Sequence, residues 1–323
     1  MNQNEINYLR EEMTNSYLKQ LETSARKTNS IVCMGLDLVR KNLGFGFGND
    51  SLGFYDFAET IFQEMKKRKI TPGAFKPNQG FYAIEKKSGY ENLDKIIHSI
   101  YVTFNDVPII LDYKRGDIGP SSENYAKEGF GFHEGISAVT ISPYMGTDSV
   151  EPFLKYTNLI TEDDIQKGDD HVRNLICNKG VYILNRTSNK GAMDFQGLEL
   201  KDGRFLYEAV ADKIIEWSKT YPGTSAVVGA TSLEELSVLA RKYAPHNVPL
   251  LIPGVGKQGG SAKEVANVLR EAGYPLYLAR INSSSGITHP WAKTIEKGHI
   301  PENYAEISVD EIQKLNEEIG PIF

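Results

Sequence analysis

Asp112, Lys114 and Asp117 lie close together in Asp112-Tyr113-Lys114-Arg115-Gly116-Asp117. The apolar run before them, Val107 to Leu111, reads as a buried strand. Side chains two apart on a strand share a face, about 7 Å apart along it. Asp112 and Lys114 are therefore expected on one face. A carboxylate and an ammonium pointing inward are costly unless they meet a polar site. Asp117 falls past the strand end, so it is expected in a rim loop, within reach of its own site or a neighbouring subunit's. Two carboxylates around one lysine favour the protonated form. A protonated lysine fixed over a substrate carbon is a proton donor.

The elements that must position these groups can be read from apolar, β-branched runs. Strands are predicted at Ile31–Asp37, Gly73–Asn78, Val107–Tyr113, Ile136–Ser142, Gly180–Arg186, Ala226–Ala230, Pro249–Pro253 and Pro275–Ile281. Segments with helical periodicity lie between them: Phe54–Lys69, Leu93–Phe104, Ser121–Phe130, Gly203–Thr220, Ser232–Tyr243 and Ser261–Ala272. Ser232 followed by Glu235 predicts a capping box. Strands alternating with helices in this way predict an α/β (β/α)8 TIM barrel, with a doubly wound open sheet as the alternative. The chain reads as a single barrel domain over residues 1–323. It carries an N-terminal helical extension and a charged surface insertion near 155–179.

Polar residues recur where the strands end. Asp37 closes the first strand, Lys76 and Asn78 the second, and Asp112 and Lys114 the third. Ser188 follows the fifth, Gly254 to Gly260 the seventh, and Ser285 the eighth. A barrel brings all of these to its C-terminal face, where barrel enzymes place their sites. The Gly-rich turn before Ser261 suits a phosphate, since backbone N–H groups and a helix start converge there.

Composition narrows the function classes. A chain of 323 residues with 40% hydrophobic content supports a large core, and a formal charge of -6 argues against a nucleic-acid binder. The six histidines show no metal-ligand spacing, so no metal is expected. The two cysteines, Cys33 and Cys177, lie in or beside apolar runs and read as buried thiols. Neither a signal peptide nor a membrane span is recognised, which makes a cytoplasmic enzyme the expectation.

Leu111-Asp112-Tyr113-Lys114-Arg115-Gly116-Asp117-Ile118-Gly119 resembles the signature of the orotidine 5'-phosphate decarboxylases, specifically the longer bacterial-type (type 2) subfamily. Phe75-Lys76-Pro77-Asn78, Pro143-Tyr144-Met145-Gly146-Thr147-Asp148, Arg186-Thr187-Ser188-Asn189, Val228-Gly229-Ala230-Thr231 and Pro253-Gly254-Val255-Gly256 match further segments in order. The resemblance implies cofactor-free decarboxylation of orotidine 5'-monophosphate to UMP and CO2, the last step of de novo pyrimidine synthesis, in a homodimer. It implies Lys114 as proton donor to C6, Asp112 beside the substrate carboxylate, and Asp117 and Ser121 reaching across the dimer. Asp37, Lys76 and Asn78 would hold the ribose, Ser188 the pyrimidine edge, and Gln258 with the nearby backbone, Gly256 included, the phosphate.

One departure concerns the phosphate. Ser285 stands where the family usually has an arginine, and Lys257, or Lys190 in the fifth-strand loop, is the candidate to replace that charge; Arg280 is a weaker one. Two other functions share parts of the pattern. A magnesium-dependent aldolase-type barrel would also use Asp112 and Lys114. A non-catalytic nucleotide binder would have no reason to keep Asp112, Lys114 and Asp117 together.

Overall fold

The computed structural model describes residues 16–40, 43, 53–131, 133, 135–158, 178–256, 259–293 and 300–323. Eight parallel strands close in sequence order, with β8 pairing back onto β1. They are β1 Val32–Leu36, β2 Ala74–Pro77, β3 Ile109–Arg115, β4 Ile136–Ile141, β5 Gly180–Arg186, β6 Thr224–Val228, β7 Leu250–Pro253 and β8 Ala279–Ser283. The (β/α)8 barrel is thus the fold, and the open-sheet alternative is excluded by closure. Every residue of β1 and β6 is buried, as expected of parallel strands covered on both faces.

The outer helices follow their apolar stripes. Ala262–Glu271 buries Ala262, Val265, Ala266 and Leu269, a spacing that keeps them on one face. Ser261 caps it by accepting from Glu264 N. Ser232 likewise caps Leu233–Tyr243 by accepting from Glu235 N. The Glu235 carboxylate lies beside Arg186 at 2.9 Å, so an inter-element ion pair takes the place of the reciprocal half of the predicted box.

Two differences bear on the site. The eighth strand begins four residues later than expected, because Leu276–Leu278 forms a 3₁₀ turn closed by Leu278 N donating to Pro275 O at 3.0 Å. Those apolar residues read as strand, yet the turn packs against the helix Tyr17–Thr28. Asn282 and Ser283 consequently belong to β8 itself. Helices Thr147–Leu154 and Tyr304–Ile319 also carry no counterpart in the predicted set.

Most of the predicted 155–179 insertion, with Cys177, lies outside the described residues. Cys33 is buried and free, and burial pushes its thiol up to about 12. Among the described residues no helix is long and apolar enough to cross a membrane.

Candidate active site

The C-terminal ends of the strands surround a cavity of about 720 Å³. Asp37, Lys76, Asn78, Asp112, Lys114, Ser188 and Ser285 all line it. The barrel thus brings together residues spread over most of the chain.

The polar centre is one carboxylate between two ammonium groups. Lys76 Nζ donates to Asp112 Oδ2 at 2.8 Å, and Lys114 Nζ donates to Asp112 Oδ1 at 2.5 Å. Asp37 adds a second carboxylate 3.6 Å from Lys76. The Lys76 and Asp112 side chains are 4% and 6% exposed, against 47% for Lys114. Lys76 and Asp112 thus form a buried foundation, and Lys114 is the cation that opens onto the cavity. Burial works to raise the Asp112 carboxyl, but the two ammonium groups outweigh it and hold it well below the usual carboxylate range. Burial likewise disfavours the Lys76 ammonium, yet Asp112 and Asp37 outweigh that and raise it above the ordinary lysine value.

Strand alternation is not what joins Asp112 to Lys114. Lys114 has φ +46, in the left-handed region, and the β3–β4 register shifts between Leu111 and Arg115. This bulge turns the Lys114 side chain back onto Asp112, where an ideal strand would hold the two about 7 Å apart. Left-handed backbone at a residue other than glycine costs on the order of 1–3 kcal/mol. Thr140, on β4, accepts hydrogen bonds at Oγ1 from Tyr113 N and Lys114 N, each at 3.1 Å, and donates to Asp112 Oδ1 at 2.8 Å.

The next residue fastens the strand end. Arg115 donates to Gln79 Oε1 at 2.8 Å and to Glu128 Oε1 at 3.2 Å, and its guanidinium lies over Tyr113 and Tyr125. Gln79 follows Asn78, so this cluster ties the ends of β2 and β3 together.

Ser188 is placed by a missing side chain. A Cβ on Gly229 would lie 2.8 Å from both Cα and N of Ser188. Glycine there lets the fifth-strand loop lie against the end of β6, next to the cavity.

Asp117 and Ser121 do not line this cavity within one chain. Asp117 Oδ1 accepts from its neighbour Ile118 N at 2.8 Å, and Ser121 is exposed on the helix Gly119–Gly131. Among the described residues, the carboxylate paired with Lys114 is that of Asp112. Asp112 serves two lysines.

The cavity end formed by the loops after β7 and β8 is lined, among the described residues, largely by neutral groups. Pro253, Gly254, Val255, Ser284, Ser285 and Gly286 line it. Gly256 does not, and its N–H donates to Gly260 O at 2.9 Å. Lys257 and Gln258 lie outside the described residues. Arg280 is fully buried and donates to the carbonyls of Gly73, Leu21, Tyr277 and Ala279. It anchors the barrel wall to the N-terminal helix and is unavailable to the cavity. Lys190 is exposed and is not among the lining residues, although its neighbours Asn189 and Gly191 are.

Sequence reasoning missed several wall residues. Thr140 is hidden in an apolar β-branched run, where its hydroxyl near the strand end was the available signal. Asn282 falls one residue past the predicted end of the eighth strand at Ile281, whereas β8 runs on to Ser283. It is buried in the wall, and its Oδ1 has no hydrogen-bond partner among the described residues. Among the described residues, no three His, Cys, Asp or Glu side chains gather in a way that could hold a metal ion.

The profile of the Orotidine 5'-phosphate decarboxylase / HUMPS family matches residues 81–288. The chain belongs to this family. It is 34% identical over 273 residues to the orotidine 5'-phosphate decarboxylase of Ralstonia pickettii, covering 84% of this chain and 89% of that one. It is 36% identical over 277 residues to that of Dehalococcoides mccartyi, covering 84% and 88%. The solved OMP decarboxylase of Leishmania donovani superposes with a TM-score of 0.67 at 26% identity, covering 94% of this chain and 99% of that one. As a member of the orotidine 5'-phosphate decarboxylase family, the chain is a decarboxylase, a carbon–carbon lyase of pyrimidine biosynthesis.

Proposed function

We propose that the chain converts orotidine 5'-monophosphate to UMP and CO2 without a cofactor, with Lys114 protonating C6. The observation that carries this reading is the Lys114 ammonium, paired with Asp112 and open to the cavity. As the C6–carboxylate bond breaks, its electron pair stays on C6 and CO2 leaves. The Lys114 proton then moves to C6, and the amine regains a proton from solvent. A fixed ammonium acts most strongly where negative charge develops, so it favours the transition state over the ground state. Asp112, ionised between two lysines, orients that ammonium beside the departing carboxylate.

Asp37, Lys76 and Asn78 are suited to the ribose, since they lie on adjoining strand ends around the same carboxylate. Ser188 is suited to the pyrimidine edge. Ser285 and the Gly254–Gly256 turn are suited to the phosphate, with Gln258 assigned there by resemblance and Lys257 as the candidate to replace the charge of the family's usual arginine. The working unit is proposed to be a homodimer in which Asp117 and Ser121 complete the partner's site. Their position outside their own cavity supports this. A cytoplasmic setting fits the free thiol of Cys33.

The test is loss of the orotate-type absorbance on mixing protein with orotidine 5'-monophosphate, with and without EDTA. Turnover that EDTA spares and that Lys114→Ala lowers by at least ~10³-fold is expected. Turnover abolished by EDTA would point to the magnesium-dependent reading instead.

A further inference from the structure

We propose that Thr140 is a positioning residue for the decarboxylation, acting through Lys114; this deepens the function proposed above and rests on it. The register on either side fixes the problem that Thr140 solves. Leu111 pairs with Val139 and Arg115 pairs with Ile141. Three residues of β3, Asp112 to Lys114, therefore stand opposite one residue of β4, Thr140. A regular ladder has no partners for the extra backbone groups of such a bulge.

The Thr140 hydroxyl supplies them. Its oxygen accepts from Tyr113 N and Lys114 N, each at 3.1 Å, and its proton goes to Asp112 Oδ1 at 2.8 Å. One donor and two acceptor sites are all that a hydroxyl offers, and all are used. The side chain is 1% exposed, so water does not compete for these bonds. The same atom thus holds the left-handed Lys114 backbone and the carboxylate that receives the Lys114 ammonium. Both ends of the proton donor are set by one hydroxyl on the neighbouring strand.

Thr140→Val keeps the shape and removes these bonds, whereas Thr140→Ser keeps the bonds and removes a methyl group. Steady-state turnover of orotidine 5'-monophosphate and crystal structures of the ligand-free proteins are compared with wild type. The valine variant is expected to lose roughly ten- to a hundredfold in kcat while KM moves less than about threefold. Its Lys114 is expected to leave the left-handed region and part from Asp112. The serine variant is expected to stay within about threefold of wild type with the geometry intact. Wild-type kcat in the valine variant, an unchanged Lys114 in its structure, or a serine variant as slow as valine would each overturn the proposal. Should the valine protein not fold, Thr140→Ala is read by the same criteria. The structures need no substrate, so a wild type inert toward orotidine 5'-monophosphate would sink the functional reading separately while the geometry still judges Thr140.

Discussion

Lys76 donates to Asp112 Oδ2 at 2.8 Å, leaving Oδ1 to Lys114 and Thr140. Both carboxylate oxygens are thus engaged, and the charge state of the group has consequences for stability. The folded-state pKa of Asp112 is depressed below the ordinary 3.8, so its stabilising effect is present above that value and is lost as pH falls through the folded value. The folded-state pKa of Lys76 is raised above 10.5, so its effect is present below that value and is lost as pH rises through the folded value. Across the window between, both stay charged. Carbon-detected NMR of the Asp112 carboxyl should therefore show no titration from about pH 4 to pH 9. A midpoint inside that range would contradict the two-lysine arrangement.

Removing that carboxylate should be costly. Asp112→Asn leaves the Lys76 ammonium buried with, among the described residues, Asp37 at 3.6 Å as its remaining counter-charge. Breaking a buried pair on one side costs about 3–5 kcal/mol. Urea unfolding at neutral pH should register a loss of that order, and a loss under about 1 kcal/mol would mean that Lys76 finds another partner or water.

Asp117 should act in trans. Lys114→Ala and Asp117→Ala proteins are each expected to be nearly inactive. Mixed and allowed to exchange subunits, half of the dimers are hybrids, and each hybrid holds one intact site. Activity should recover to about a quarter of wild type. Mixing without any recovery would place Asp117 in its own chain's site or remove it from catalysis.

The cavity end beside β7 and β8 makes a fourth case, as the proposed phosphate site. Ser285 lines the cavity, and Arg280 is committed to four carbonyls. Lys257 is then the cation expected to serve the phosphate. Lys257→Ala should raise KM by roughly ten- to a hundredfold, the size of one charge-assisted contact. Ser285→Arg in that background should restore much of the loss. An unchanged KM in Lys257→Ala would show that neutral groups hold the phosphate.

Much of this protein is legible in its chain because the relevant physics is local. Buried parallel strands read as continuous apolar runs, and polar residues at their ends mark the face that carries the site; Asp37, Lys76, Asp112, Ser188 and Ser285 all met around one cavity. The tertiary structure decided what depends on neighbours far along the chain. Lys114 reaches Asp112 through a bulge whose amides are satisfied by Thr140, 26 residues from Lys114. Two lysines share one carboxylate because β2 pairs directly with β3, which sets Lys76 beside Asp112. Leu276–Leu278, apolar enough for a strand, became a 3₁₀ turn against the N-terminal helix, and this moved Asn282 into β8. Hydrophobic pattern specifies which face is buried, whereas hydrogen-bond partners across strands specify where the backbone departs from regularity, and here that departure sets the Asp112–Lys114 pair.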